Sequence, residues 1–196
     1  MPSHSDLELL SRIGKDDPAA LGVILERYWA AVVRFASSFL RSPDAAEDVA
    51  QETFVRLWER RDAWQQEGSL RALLFQITRN LSLDEIRRRS ARERADREAV
   101  PPTLRHTAAE HVEQEELGEI IARAVRALPP RRREVFVLVR HHGLSYREAA
   151  QVLDLAPQTV ANHLSMAMAD LRDSLAPYFY SHIERPLRDS ATDLSA

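Results

Sequence analysis

Gly143-Leu144-Ser145-Tyr146-Arg147-Glu148-Ala149-Ala150-Gln151-Val152-Leu153-Asp154-Leu155-Ala156-Pro157-Gln158-Thr159-Val160-Ala161-Asn162-His163-Leu164 holds two helix starts separated by a short turn. Ser145 followed by Glu148 is a capping box, in which each side chain satisfies the other residue's free backbone N–H. The helix it opens carries Ala149, Ala150 and Val152 and ends at Leu153. Asp154-Leu155-Ala156 then turns the chain. Pro157 starts a longer helix with Val160, Leu164, Ala167, Leu171 and Leu175 along one side. This is the layout of a helix-turn-helix, whose second helix fits the major groove and offers its first side chains to base edges. Those positions are Gln158, Thr159, Ala161, Asn162 and His163. A plain helical hairpin with a solvated arginine face has the same spacing, so pattern alone leaves both open.

Upstream, a helix is expected from Arg131 to His142, with Val135, Phe136, Leu138 and Val139 apolar and Gly143 as its C-cap. From Arg126 to Arg147 there are six arginines and one acid, Glu134. Arg131, Arg132, Arg133, Arg140 and Arg147 are therefore candidate phosphate contacts. Before that segment lies a helix with Leu117, Ile120, Ile121, Val125 and Leu128, closed by Pro129-Pro130. Residues 96–112 have few large apolar side chains and contain Pro101-Pro102, which reads as a flexible linker.

The first half of the chain is also helical in pattern. Ser5 and Glu8 form a capping box ahead of Leu7, Leu9, Leu10 and Ile13; Asp17-Pro18 and Ser42-Pro43 each place a cap before a helix-opening proline. The helix from Pro43 to about Arg60 turns Ala46, Val49, Ala50, Phe54, Leu57 and Trp58 to one side. Glu47, Asp48, Gln51, Glu52, Arg56 and Glu59 fall largely on the other, an acidic face suited to a basic partner or simply to water. Residues 61–69 lack periodicity and read as a loop, in which Trp64 either stacks on an unpaired base or plugs the core. A fourth helix, capped by Ser69, has Leu70, Leu73, Leu74, Ile77 and Leu81 inward and a basic end at Arg87-Arg88-Arg89. Interleaved Asp84, Glu85 and Glu93 let that end be a solvated, internally paired helix as readily as a backbone-binding one.

The 196 residues are 44% hydrophobic, enough for a buried core, and few glycines with abundant charge favour helices over a turn-rich β sandwich. The expected fold is all-α: two small helical domains, 1–95 and 113–177, joined by the linker 96–112 and followed by a tail, 178–196. The absence of cysteine removes disulfides, thiol catalysis and cysteine zinc sites. His106, His111, His141 and His142 form no metal-ligand spacing, and no nucleophile elbow accompanies the serines. No metal, cofactor or catalytic residue is expected. With no secretory or membrane-spanning pattern, a soluble cytoplasmic protein is expected. The formal charge of −3 argues against nucleic acid only as an average.

Four segments carry a family resemblance. Residues 44–60, Asp-Ala-Ala-Glu-Asp-Val-Ala-Gln-Glu-Thr-Phe-Val-Arg-Leu-Trp-Glu-Arg, resemble the polymerase-binding segment of sigma factors of the extracytoplasmic-function (ECF) group, and residues 77–89, Ile-Thr-Arg-Asn-Leu-Ser-Leu-Asp-Glu-Ile-Arg-Arg-Arg, its −10 segment. Leu128–Phe136 and Gly143–Ala150 are similar to its −35-binding domain. The resemblance implies a non-catalytic transcription initiation factor that directs core RNA polymerase to −10 and −35 promoter elements and helps open the DNA. Asp48, Gln51, Glu52, Leu57 and Trp58 would dock on the β′ clamp helices, with the β flap as a second contact. Trp64, Arg79, Asn80, Asp84, Arg87 and Arg88 would meet the −10 DNA. Arg131, Arg132, Arg133, Arg147, Gln158, Thr159, Asn162 and His163 would meet the −35 DNA. An anti-sigma factor is an expected partner. A stand-alone helix-turn-helix regulator is the alternative, but it has no need of segments 44–60 and 77–89. Two departures stand out: Ala161, His163, Met166 and Met168 replace frequent basic residues, so the resemblance supplies no −35 sequence; and Asp154 sits where a turn glycine is usual. Met168 is expected to pack with Leu164, Leu171 and Leu175, and Pro177-Tyr178-Phe179-Tyr180 to cover the second domain or to meet a partner.

Overall fold

The computed structural model describes residues 4–40, 42–63, 69–99 and 117–183. Trp64, the Pro101-Pro102 segment with His106 and His111, and the tail beyond Ile183 lie outside them. The helices are α1 (Asp6–Ile13), α2 (Pro18–Ser37), α3 (Pro43–Glu59), α4 (Leu70–Ala99), α5 (Leu117–Ala127), α6 (Pro130–Phe136), α7 (Tyr146–Leu153) and α8 (Pro157–Ile183). Among the described residues there is no strand. They fall into two compact units, one holding α1–α4 with residues 137–160, the other α5, α6 and α8 from residue 161.

In the first unit the caps read from sequence are in place. Asp17 accepts from the Ala19 N–H at 3.0 Å and Ser42 from Ala45 at 3.4 Å, each satisfying a donor that the helix start leaves open. Ser5 accepts from Glu8 N–H, but the Glu8 carboxylate turns to His4 Nδ1 at 2.8 Å, so the expected box has only that arm. The core gathers Leu9 and Ile13 of α1, Ala20, Ile24 and Val32 of α2, Ala50, Phe54 and Leu57 of α3, and Leu70 and Leu74 of α4. Burying each large aliphatic or aromatic side chain contributes about 1.5–3 kcal/mol before the entropy of ordering is subtracted. Leu7 is 57% exposed: on so short a helix the stripe through Leu9 and Ile13 fills the contact, and Leu7 lies off it.

Polar side chains fix α3 against α4. Thr53 Oγ1 donates to the Val49 carbonyl and lies 3.2 Å from Thr78 Oγ1, which donates in turn to the Leu74 carbonyl. Both threonines are fully buried, and back-bonding to their own helices satisfies them there. Asp6 joins α1 to α2 by accepting from Arg27 at 2.6 Å and from the Tyr28 hydroxyl. Burial, and then the Asp6 carboxylate, hold the Tyr28 phenol protonated well above its ordinary range.

The same unit takes in residues 137–160. The single helix expected from Arg131 to His142 instead changes pitch: after α6, Val137–His141 is π-helical. The His142 N–H reaches the Val137 carbonyl and Leu144 N–H the Leu138 carbonyl, both at 3.0 Å. That second bond spans one residue more than the usual closing bond at a glycine-terminated helix, the extra residue being the one the wider turn absorbs. Gly143 ends it at φ +63°, a left-handed conformation that costs a side chain about 1–2 kcal/mol. The wider turn accompanies an inward His142, 7% exposed, whose ring lies 4.7 Å from Phe75 and 5.5 Å from Phe35. Phe75 itself is fully buried, although its sequence position had not marked it as core. Burial first, then the nearby Arg34, push the His142 imidazole down to about 4.

The capping box on α7 is complete, with Glu148 closing the Ser145 N–H at 2.8 Å. Ser69 Oγ also donates to Glu148 at 2.6 Å. Burial alone would raise the Glu148 carboxyl, but hydrogen bonds from Ser69 and Ser145 outweigh it and hold it below its ordinary value. Asp154 takes the left-handed turn at φ 54°, which its short polar side chain tolerates better than most.

In the second unit Val125, Leu128 and Val135 are buried, as are Leu164, Ala167 and Leu171 on α8. Arg132 pairs with Asp170 at 2.6 Å. Met168, expected in this core, is 43% exposed; it lies about 100° around the helix from Ala167, past the edge of the buried stripe. Pro177 does not end α8, although it removes one helical hydrogen bond. The tail expected from residue 178 is helical as far as Ile183, and residues 96–99, expected in the linker, complete α4.

Candidate protein-docking and DNA-binding faces

Three faces bring the expected site residues together. On α3, Asp48, Gln51 and Glu52 are exposed and share one stripe with Val55 and Glu59, at the i, i+3, i+4, i+7, i+11 spacing of a helix face. Glu52 accepts from Arg56 at 2.9 Å, an exposed pair worth a few tenths of a kcal/mol and easily exchanged for a partner's cation. Val55, 47% exposed, was not singled out from sequence; it puts an apolar spot in the middle of the acids. Leu57 does not belong to this face. It is fully buried in the core of the first unit, so it holds α3 in place. Trp58 is partly buried against the same core, with the Arg61 guanidinium 4.8 Å over its ring. A groove between α3 and α4, lined by Asp48, Glu52, Arg56, Glu85 and Arg88, runs beside the acidic stripe.

The second face is the outer side of α4. Asn80, Asp84 and Arg87 lie along one stripe with Gln76, which sequence reading passed over, and Arg88 flanks it. Arg79 is half-buried and about 100° around the helix from Asn80. Beyond Ser82 the helix buries little: Arg87, Arg88 and Arg89 are exposed. They pair within the helix, Arg87 with Asp84 at 3.0 Å, Arg88 with Glu85 at 4.0 Å and Arg89 with Glu93 at 3.0 Å. Such pairs hold the guanidinium groups in place at little free-energy cost to release. Both readings of this segment are thus compatible: it is internally paired and available to a phosphate.

The third face belongs to the helix-turn-helix. The Leu155 N–H closes the turn onto the Ala150 carbonyl at 3.0 Å. Gln158 and Asn162 are exposed and lie opposite the buried stripe Val160, Leu164, Ala167, Leu171, while Thr159 and His163 are half-buried on its flank. Of the flanking arginines, Arg147 and Arg140 are exposed. Arg131, Arg132 and Arg133 engage Glu134, Asp170 and the Arg126 carbonyl respectively, at 3.1, 2.6 and 2.8 Å. Among the described residues no cluster of histidine and carboxylate side chains could hold a metal, and no helix is long and apolar enough to cross a membrane.

Residues 24–92 match the family model described as Sigma-70 region 2, and residues 118–171 that of Sigma-70, region 4. The chain is 34% identical over 153 residues to the ECF RNA polymerase sigma factor SigE of Mycolicibacterium smegmatis, covering 75% of this chain and 58% of that protein. It is 33% identical to the probable RNA polymerase sigma factor RfaY of Xanthomonas campestris, of which it spans 41%. To the ECF RNA polymerase sigma factor EcfG of Rhodopseudomonas palustris it is 34% identical over 140 residues, covering 70% of this chain and 75% of that one. Among solved structures, CnrH in complex with the cytosolic domain of CnrY aligns at a TM-score of 0.66 with 28% identity, over 88% of this chain and 97% of that one. The sigma factor RpoE in complex with the anti-sigma factor NepR from Bartonella quintana aligns at 0.63, also with 28% identity, over 79% and 96%. The acidic face of α3, the basic end of α4 and the helix-turn-helix fall inside the two matched regions, and the chain belongs to the ECF RNA polymerase sigma factors.

Proposed function

We propose that this chain binds core RNA polymerase, directs it to promoters carrying −10 and −35 elements, and helps open the DNA, acting by binding without a chemical step of its own. One observation carries the reading: an exposed acidic stripe on α3 precedes a helix-turn-helix in the same chain, inside region 2 and region 4 matches in that order. A stand-alone regulator of duplex DNA would have no use for the stripe. Asp48, Gln51, Glu52 and the exposed Val55 dock on the β′ clamp helices, and the second matched region engages the β flap. Asn80, Asp84, Arg87 and Arg88 face the −10 DNA, with Trp64 taking an extruded base. Extrusion costs a few kcal/mol, which contacts to the flipped base and arginine attraction for the phosphates offset. The helix-turn-helix reads the −35 element, with Arg147 and Arg140 on its phosphates. An anti-sigma factor holds the protein inactive in the cytoplasm; the structurally similar sigma factor RpoE is itself in complex with the anti-sigma factor NepR.

The test is reconstitution: purified protein is added to core polymerase and run-off transcription is measured on genomic fragments. Promoter-specific transcripts that need both components are expected. Absence of core association and of such transcripts would remove the reading.

A further inference from the structure

The outer face of α8 is rich in amide and apolar side chains near its start. With about 100° per residue, Gln158, Asn162, Ser165, Met166 and Ala169 fall opposite the buried stripe of Val160, Leu164, Ala167 and Leu171. Gln158, Asn162, Ser165 and Met166 are exposed. Between Gln158 and Ala169 that stripe carries no charged side chain, and the first one on it is the exposed Asp173, about 22 Å beyond Gln158. The nearest downstream cation on the helix, Arg172, stands about 21 Å beyond Gln158 at 1.5 Å per residue, more than the roughly 12 Å width of a major groove. Asp170 is on the flank and paired with Arg132.

Each of these side chains has a chemical preference among base edges. A carboxamide matches adenine, donating to N7 and accepting from the N6 amino group. A guanidinium or ammonium is what pairs with the two acceptors of guanine. Apolar atoms suit the thymine methyl, and Met166, 46% exposed and one turn beyond Asn162, supplies them. Gln158 and Asn162 are one turn apart, about 6 Å along the helix, which spans one or two base-pair steps of 3.4 Å.

We propose that Gln158 and Asn162 are the specificity-determining residues of this protein's −35 recognition. They select A·T pairs at two neighbouring positions, with Met166 against a thymine methyl, and leave guanine unread along this face. The inference rests on the sigma-factor reading given above. It is tested with the reconstituted holoenzyme and a promoter library randomised through the −35 region, transcripts being sequenced to recover the selected elements. Adenine is expected at two positions one or two base pairs apart; Gln158→Ala should relax one of them and Asn162→Ala the other, each by about tenfold, the loss of one bidentate pair. Gln158→Arg should move its position from adenine toward guanine. Selection of guanine by the wild-type protein at these positions, or alanine variants that keep the wild-type base preferences, would overturn the assignment. A wild-type protein that binds core and transcribes but selects no base there would overturn it too. If the wild type yields no core-dependent transcript, the sigma-factor reading itself falls and the assignment with it.

Discussion

Asp48 and Leu57 occupy one helix and were grouped by resemblance as docking residues, yet their surroundings give them different work. Asp48 is exposed with its charge toward solvent; Leu57 has no exposed surface. Asp48→Arg should therefore leave thermal stability within about 0.5 kcal/mol of wild type while core polymerase binding collapses, because a charge reversal places repulsion where an attraction was. Leu57→Ala should do the opposite, lowering stability by about 2–5 kcal/mol through lost burial and the cavity left behind. Thermal unfolding beside a core pull-down separates the two. If Asp48→Arg bound core as the wild type does, the acidic stripe would not be the docking face. Spacing along the helix already sets Leu57 on the apolar side and Asp48 on the acidic one; packing adds that the apolar side is closed off within the core, leaving Leu57 no surface to offer a partner.

At the scale of elements, α4 is two helices in one. Its first half carries Leu70, Leu74, Phe75, Thr78, Leu81 and Ser82 into the core, while from Ile86 to Arg94 the described side chains are exposed apart from the half-buried Ser90. The basic end can thus change charge without unfolding the bundle. Arg88→Glu should impair open-complex formation, read as permanganate reactivity of unpaired thymines, several-fold more than it weakens core binding. Equal loss in both assays would place Arg88 in the docking groove it lines with Asp48 and Glu52 rather than on the −10 DNA. Capping serines and prolines announced the starts of α2, α3 and α7 because caps act through local hydrogen bonds within one turn. Helix ends were less legible: α8 runs through Pro177, since a proline costs a helix a bond but does not forbid it when neighbouring turns persist.

For the molecule as a whole, the first unit includes residues 137–160, and within it the His142 ring packs against the paired rings of Phe35 and Phe75. The imidazole, ordinarily near 6.5, is pushed down to about 4. Between those values the unfolded chain binds more protons than the folded one, so stability rises with pH there. The contribution of this contact is full above about 6.5 and drains as pH falls toward about 4. An NMR titration of the His142 imidazole should give a midpoint near 4, and His142→Phe should reduce the loss of thermal stability from pH 7 to pH 5. A midpoint near 6.5 would mean that the ring is in solvent. The net charge of −3 is likewise a whole-molecule quantity that says little; what counts is an acidic α3 face and arginine-rich segments kept apart along the chain.

The amino-acid sequence by itself determined the all-helical class, the capped starts, the helix-turn-helix and the acidic stripe of α3, because these depend on periodicity and on contacts between residues a turn apart. Tertiary structure alone decided the burial of Phe75 and His142, the exposure of Leu7, Val55 and Met168, and the meeting of the Thr53 and Thr78 hydroxyls. Each of these depends on which edge of a helix a neighbour covers. A helical repeat states only that one side is apolar; the breadth of that side, and the polar groups admitted within it, are set by the shape and hydrogen-bonding capacity of whatever packs against it.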